Sequence, residues 1–348
     1  MNADKRKGEE RGGRRACTAG CHRCRRGRVS DFEFRVSVFI LLLAFLIEAP
    51  SARGADRTVS LPAEASVGLR LIYDGRSEAA IPLARELQAA NPNDPLGYLL
   101  EAEAMWWKIY CQALELRYGF VGAWRRPKRA DDVAYFALAD KTIALAEARL
   151  KEKETPELHF YAAISYALKA RLNALREERL AIARAGVRGR EHILRAIALD
   201  HEFADAYMGI GVYNYYVDTL SGIAKVLRFF MGIPGGDKRE GMRQLERAIA
   251  AGGMSAPEAR FYLAVNLRDH DRQYERAAAL LEPLVKEYPQ NPLFRLQLGN
   301  MYAKLARNEK AAAQFQATER LAAEGKIADP ACAARVREIA RASLAALK

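Results

Sequence analysis

A period of 34 residues in the last third of the chain constrains the fold more than any other feature. Glu258-Ala-Arg-Phe-Tyr-Leu-Ala-Val and Pro292-Leu-Phe-Arg-Leu-Gln-Leu-Gly open equivalent helices at that offset. The helices that follow keep it, since Ala277 stands against Ala311 and Leu281 against Phe315. A short helical pair cannot bury its apolar face alone, so such a repeat implies stacked pairs that share one continuous core. With 348 residues, 50% of them hydrophobic, the chain has material for that core. Beyond residue 60 it is dominated by Ala, Leu, Glu and Arg, which favour helices, and no β-rich block interrupts them. The expected fold class is all-α.

These residues resemble the tetratricopeptide repeat (TPR) family, whose first helix carries Leu-Gly and then Tyr, and whose second carries Ala, a large apolar residue, Ala and a closing Pro. Leu298, Gly299 and Tyr302 match the first helix, and Ala311 and Phe315 the second. Ala277, Leu281, Leu284 and Pro289 supply the second helix of the preceding repeat. The physical content is packing: a small residue lets two helices approach and a large one fills the groove. In this register a copy spans 61–94, with Gly68 at the small position and Ala80, Ala84, Leu87 and Pro92 on its second helix. Another opens at Ala204–Gly211, and its second helix is Arg239–Ile249, with Gly241, Leu245 and Ala248 in register. The period is distorted at 95–153, a long hairpin with the basic turn Trp124–Arg129, and at 156–203. The resemblance implies a right-handed superhelical solenoid over 55–348, with an insertion at 217–236 and a capping helix at 330–347.

The run Val36–Ile47 is nearly all apolar, follows Arg35 and an Arg-rich stretch, and precedes Glu48-Ala-Pro-Ser-Ala-Arg-Gly54. It suits a signal-peptide h-region better than a spanning helix of about 20 residues. Cleavage before Ala55 would place Ala52 and Gly54 at the −3 and −1 positions. The expectation is a basic leader at 1–35, an h-region and cleavage region at 36–54, and a periplasmic or secreted mature chain. An uncleaved anchor in the inner membrane through 36–47 is the alternative. Residues 1–28 hold Cys17, Cys21, His22 and Cys24, which lack both haem-attachment and zinc spacing. A translation start near Val29 accounts for them better.

The net charge of +12 falls to about +6 when residues 1–54 are set aside, so no concentrated basic face points to nucleic acid. Only Cys111 and Cys332 remain beyond the leader, too few for a disulfide framework. Gly232-Ile-Pro-Gly-Gly-Asp-Lys238 enters a helix but lacks the P-loop pattern, and Asp237 is suited to capping that helix. His159, His192, His201 and His270 fall on separate helices or turns without a metal-binding pair motif. No G-x-S-x-G elbow is present, and nothing nominates a catalytic residue, cofactor or metal.

In the family the first helices line the concave surface, which directs attention to Trp106, Trp107, Tyr110, Tyr207, Tyr213, Tyr215, Tyr216 and Tyr262. About half should be core. Asn266 and Asn300, 34 residues apart, occupy positions where relatives hold a peptide; Tyr262 and Leu296, four residues earlier, remove the Lys of a carboxylate clamp. Within the insertion Ile223, Val226, Leu227 and Phe230 recur at i, i+3, i+4 and i+7, a short amphipathic helix. Its apolar face either covers neighbouring repeats as core or walls a groove beside Tyr215 or Tyr216. The expected function is a non-catalytic scaffold of the cell envelope that binds a protein or peptide on its concave face, through Tyr215, Tyr216, Leu227, Phe230, Tyr262, Asn266 and Asn300. The alternative is a periplasmic protein that binds a hydrophobic small ligand or lipid.

Overall fold

Five helices begin where a polar side chain satisfies the free N–H groups of a first turn. Asp94, Thr155, Asp237, Asn291 and Asp329 each accept from a backbone N–H two or three residues on, at 2.7 to 3.3 Å. In four of them Pro follows directly, its fixed φ already helical and its missing N–H needed by no partner. The computed structural model describes residues 55–347; the leader, the apolar run 36–47 and the Cys17–Cys24 cluster lie outside them. Residues 1–54 and 55–348 are separate units.

The second unit is an all-α solenoid of helical pairs. In order these are α1 (Ala63–Tyr73) with α2 (Ser77–Ala90), α3 (Pro95–Gln112) with α4 (Asp131–Glu152), and α5 (Pro156–Leu175) with α6 (Arg179–Leu199). α7 (Ala206–Thr219) pairs with α9 (Lys238–Ala251), and α8 (Gly222–Phe230) is inserted between them. α10 (Ala256–Asn266) pairs with α11 (Tyr274–Glu287), α12 (Pro292–Lys304) with α13 (Asn308–Ala323), and α14 (Pro330–Ala345) caps the last pair. The irregular stretches resolve as the sequence implies, except that β1 (Leu114–Arg117) and β2 (Phe120–Ala123) form an antiparallel hairpin between α3 and α4. Among the described residues no helix is long and apolar enough to cross a membrane.

The array departs from an open solenoid in where α3 goes. Thirteen of its 18 residues are buried, so it has no solvent face. Trp107 packs edge-on against Tyr73 of α1, Phe261 of α10 and Phe294 of α12, with ring centroids 5.3 to 6.0 Å apart. One helix thus joins the first repeat to the last two. The turns close the same way: Asn291 Nδ2 donates to the Tyr73 carbonyl at 2.7 Å, and Asp74 accepts from Gln290 N–H at 2.9 Å. Asp205 accepts from the N–H groups of Val59 and Ser255.

A disulfide between Cys111 of α3 and Cys332 of α14 joins residues 221 apart in sequence. The count of cysteines alone gave no reason to pair them. What brings them together is the inward course of α3, which sets their Cα atoms 5.3 Å apart.

Candidate functional site

The inner surface that the sequence reserves for a partner is occupied by the chain itself. Strand β2 lies against α12, and both polar groups of Val121 are held there. Asn300 Oδ1 accepts from Val121 N–H at 2.7 Å, and the Val121 carbonyl accepts from Gln297 Nε2 and Arg268 Nη1, each at 2.8 Å. Asn300 does bind backbone, as its position implies, but the backbone is that of the protein's own hairpin. Arg268 reaches inward because α10 continues into a π-turn, Leu267–Asp271, which shifts the helix face by one residue. Asp269 pairs with the same guanidinium at 2.6 Å.

The other expected inner residues are scattered. Asn266 is buried with neither amide atom hydrogen-bonded, so its likeness to Asn300 ends at sequence position. Tyr262 is buried beneath the Arg171 guanidinium, 5.1 Å from the ring centre. Tyr215 is fully buried, and its hydroxyl donates to the Asp271 carboxylate at 2.6 Å. Tyr216, its neighbour, packs edge-on against the same ring and against His270 but is half-exposed. The side chain of Leu227 is outside the described atoms.

Two polar clusters went unread in the sequence. Arg171 of α5, partly exposed, lies 2.7 Å from Glu258 of α10 and 3.7 Å from Glu103 of α3, both carboxylates buried. One cation faces two carboxylates, and burial, with Glu258's charge next, pushes Glu103 up to about 8. Between α5 and α6, His159 and His192 meet Nδ1 to Nδ1 at 3.0 Å, with Glu154 3.0 Å from the far nitrogen of His159. That contact requires at least one neutral ring, and burial followed by His159's charge lowers the pKa of His192. Neither cluster sets a nucleophile beside a base, and among the described residues no group of three or more His, Cys, Asp and Glu side chains is placed to hold a metal ion.

Among the described residues the main outward apolar feature is α8. It is a short helix, as its periodicity implies, but its apolar side neither covers neighbouring repeats nor walls a groove. Ile223 is 77% exposed, Phe229 76% and Phe230 80%. Seven of the 13 exposed large hydrophobic residues among those described lie in the single segment Tyr216–Met231, so exposure is concentrated there. A cleft of about 570 Å³ opens between α1 and α10, lined by Leu69, Arg70, Tyr73, Met254, Arg260 and Tyr288.

No protein-family model matches the chain. No curated protein matches it either. Among solved structures, MamA is similar at 16% identity and a TM-score of 0.38, over 58% of this chain and 98% of that one. The C-terminal part of a TPR repeat-containing protein from Cytophaga hutchinsonii is similar at 14% identity and a TM-score of 0.33, over 82% and 95%. The TPR-like character of this chain rests on its own helical pairs and 34-residue offset.

Proposed function

We propose that the protein is an exported, non-catalytic binding scaffold of the cell envelope that engages a hydrophobic partner through α8. The carrying observation is the outward apolar side of that helix on a body whose inner groove is already filled. An apolar patch of this kind on an otherwise ordinary surface marks a place of association. Export is supported by the leader and by the Cys111–Cys332 bridge, a bond that persists in oxidising compartments. The concave-face reading gives way here, because the groove's backbone-binding groups hold Val121.

A photo-reactive amino acid placed at Phe229 in living cells tests the proposal. Covalent adducts at that position, absent from a control at exposed Val133, are the expected result. N-terminal sequencing of the exported chain should begin near Ala55, and recovery of Val36–Ile47 in the membrane fraction would replace export with anchoring. The cleft beside Arg70 and Arg260 favours a second reading, a small hydrophobic ligand carrying an anionic group, because its volume suits one. An extractable small molecule lost on Arg260→Ala substitution would establish that reading.

A further inference from the structure

The helices flanking α8 need no long connection. α7 and α9 touch backbone to backbone, such that a Cβ on Gly241 would sit 2.7 Å from the Gly211 carbonyl oxygen and 2.8 Å from Tyr215 N. The segment between them therefore leaves the body and returns without helping to join the pair, and α8 packs extensively against no other element.

It is nonetheless built as a helix with fixed ends. Ser221 Oγ accepts from Ala224 N–H, and Lys225 N–H donates to the Ser221 carbonyl. At the far end Gly232, at φ +65°, lets the N–H groups of Gly232 and Ile233 return to the carbonyls of Phe229 and Arg228.

Its amphipathicity is inverted with respect to the body. The two polar side chains, Lys225 and Arg228, are three residues apart and share one face. Both are held at the base: Lys225 Nζ lies 3.2 Å from Asp218 of α7, and Arg228 Nη1 donates to the Ile233 carbonyl at 2.7 Å. Tyr213 of α7 donates to the Pro234 carbonyl at 2.9 Å, which fastens the returning strand. With the polar face clamped inward, Ile223, Val226, Phe229, Phe230 and Met231 are left outward.

We infer that α8 is a membrane-surface anchor whose apolar side enters the headgroup and acyl boundary of an anionic bilayer. The inference rests on the reading of α8 as the binding element and names what it binds. Charge favours a lipid surface. Among the described residues neither Arg228 nor Arg190 makes an ion pair with a carboxylate, although Arg190 flanks the same base, 5.3 Å from the Tyr213 ring centre. Exposed Arg239 follows at the start of α9 and likewise makes no such pair. Basic residues rimming an apolar helix match phosphate headgroups above hydrocarbon. The chemistry of the tip agrees, since its outward side chains offer no hydrogen-bonding group to fix the register of a protein partner. A fluid hydrocarbon needs none. At nine residues, α8 is about 13 Å long, far short of the bilayer core, and so lies in the interface.

The test is a Phe230→Trp variant of the full chain mixed with phosphatidylglycerol vesicles carrying doxyl-labelled acyl chains, beside the unchanged protein. The expected result is a blue shift and quenching of the added fluorescence, well beyond that of the unchanged protein. Phe229→Ser with Phe230→Ser should lower vesicle partitioning at least tenfold while circular dichroism and melting stay as they were; pure phosphatidylcholine should bind severalfold more weakly. The comparison within one chain removes any contribution of residues 36–47. No quenching at position 230 overturns the inference. Protein adducts at Phe229 without quenching leave the scaffold reading standing with a protein occupant, and dimerisation abolished by the double Ser variant assigns the tip to a second copy. Neither adducts nor quenching removes both readings.

Discussion

At Gly299 an added Cβ would lie 2.5 Å from Cε1 of Phe315, so the contact between α12 and α13 admits no side chain. Gly299→Leu should cost about 1–3 kcal/mol by overpacking, and an unchanged melting temperature would remove the contact from the account of stability. Gly68 holds the equivalent place in the first repeat by sequence, but a Cβ there meets nothing within 4 Å. Gly68→Ala should raise stability by about 0.5–1 kcal/mol, because it relieves the entropic cost of a helical glycine without a clash. The motif thus showed which positions correspond and not how closely the helices approach. Glu103 illustrates the other limit, since its partner Arg171 is 68 residues away and no local pattern links them. Its carboxyl, at about 8 in the fold against an ordinary 4.5, retains a proton that the unfolded chain loses. That contribution is fully present below about 4.5 and disappears as pH rises through 8. Glu103→Gln, which keeps the shape and does not titrate, should therefore be more stable than the unchanged protein at pH 9, with the advantage shrinking toward pH 5. Melting curves across that range decide it.

Between paired helices one turn recurs. Gly75, Glu177, Arg272 and Ala306 all have positive φ, and each stands two residues before the second helix of its pair. Three of the four carry a side chain in a conformation that glycine adopts more freely. Ala306→Gly should raise the melting temperature by an amount worth about 0.5–1 kcal/mol, and a fall would mean that the methyl group packs usefully. The helices themselves were legible, because Pro, Asp, Asn and Thr at their starts and a 34-residue offset are local or periodic signals. The hairpin at 114–123 was not. Its strands have four residues each, and they are held by Asn300, Gln297 and Arg268 from elements about 150 to 180 residues distant. For α8 the periodicity identified the helix and its apolar side, while the direction of that side was set by Asp218 and the Ile233 carbonyl, which hold the cations inward. A hydrophobic face is expected to turn toward the body; here the polar anchors decide otherwise.

In a linear solenoid each repeat touches only its neighbours, and stability is a sum of local terms. Here α3 contacts the first pair and the last two, and Cys111–Cys332 makes that closure covalent. Reduction, or Cys111→Ala with Cys332→Ala, should lower stability by about 3–5 kcal/mol through the freed entropy of the unfolded loop, measured by denaturant titration with and without reductant. The unfolding transition should stay single, since the repeats are not independent; separate steps would show that α3 does not couple them. The inward course of α3 also sets a timetable. Synthesis runs from the N-terminus at about 5–20 residues per second, so the 221 residues from Cys111 to Cys332 take roughly 10 to 45 s to follow. For most of that interval Trp107 lacks Phe261 and Phe294, the later rings that pack against it. The newborn chain therefore carries part of an aromatic-rich helix bare for longer than most small domains take to fold, and a holding chaperone has a target there.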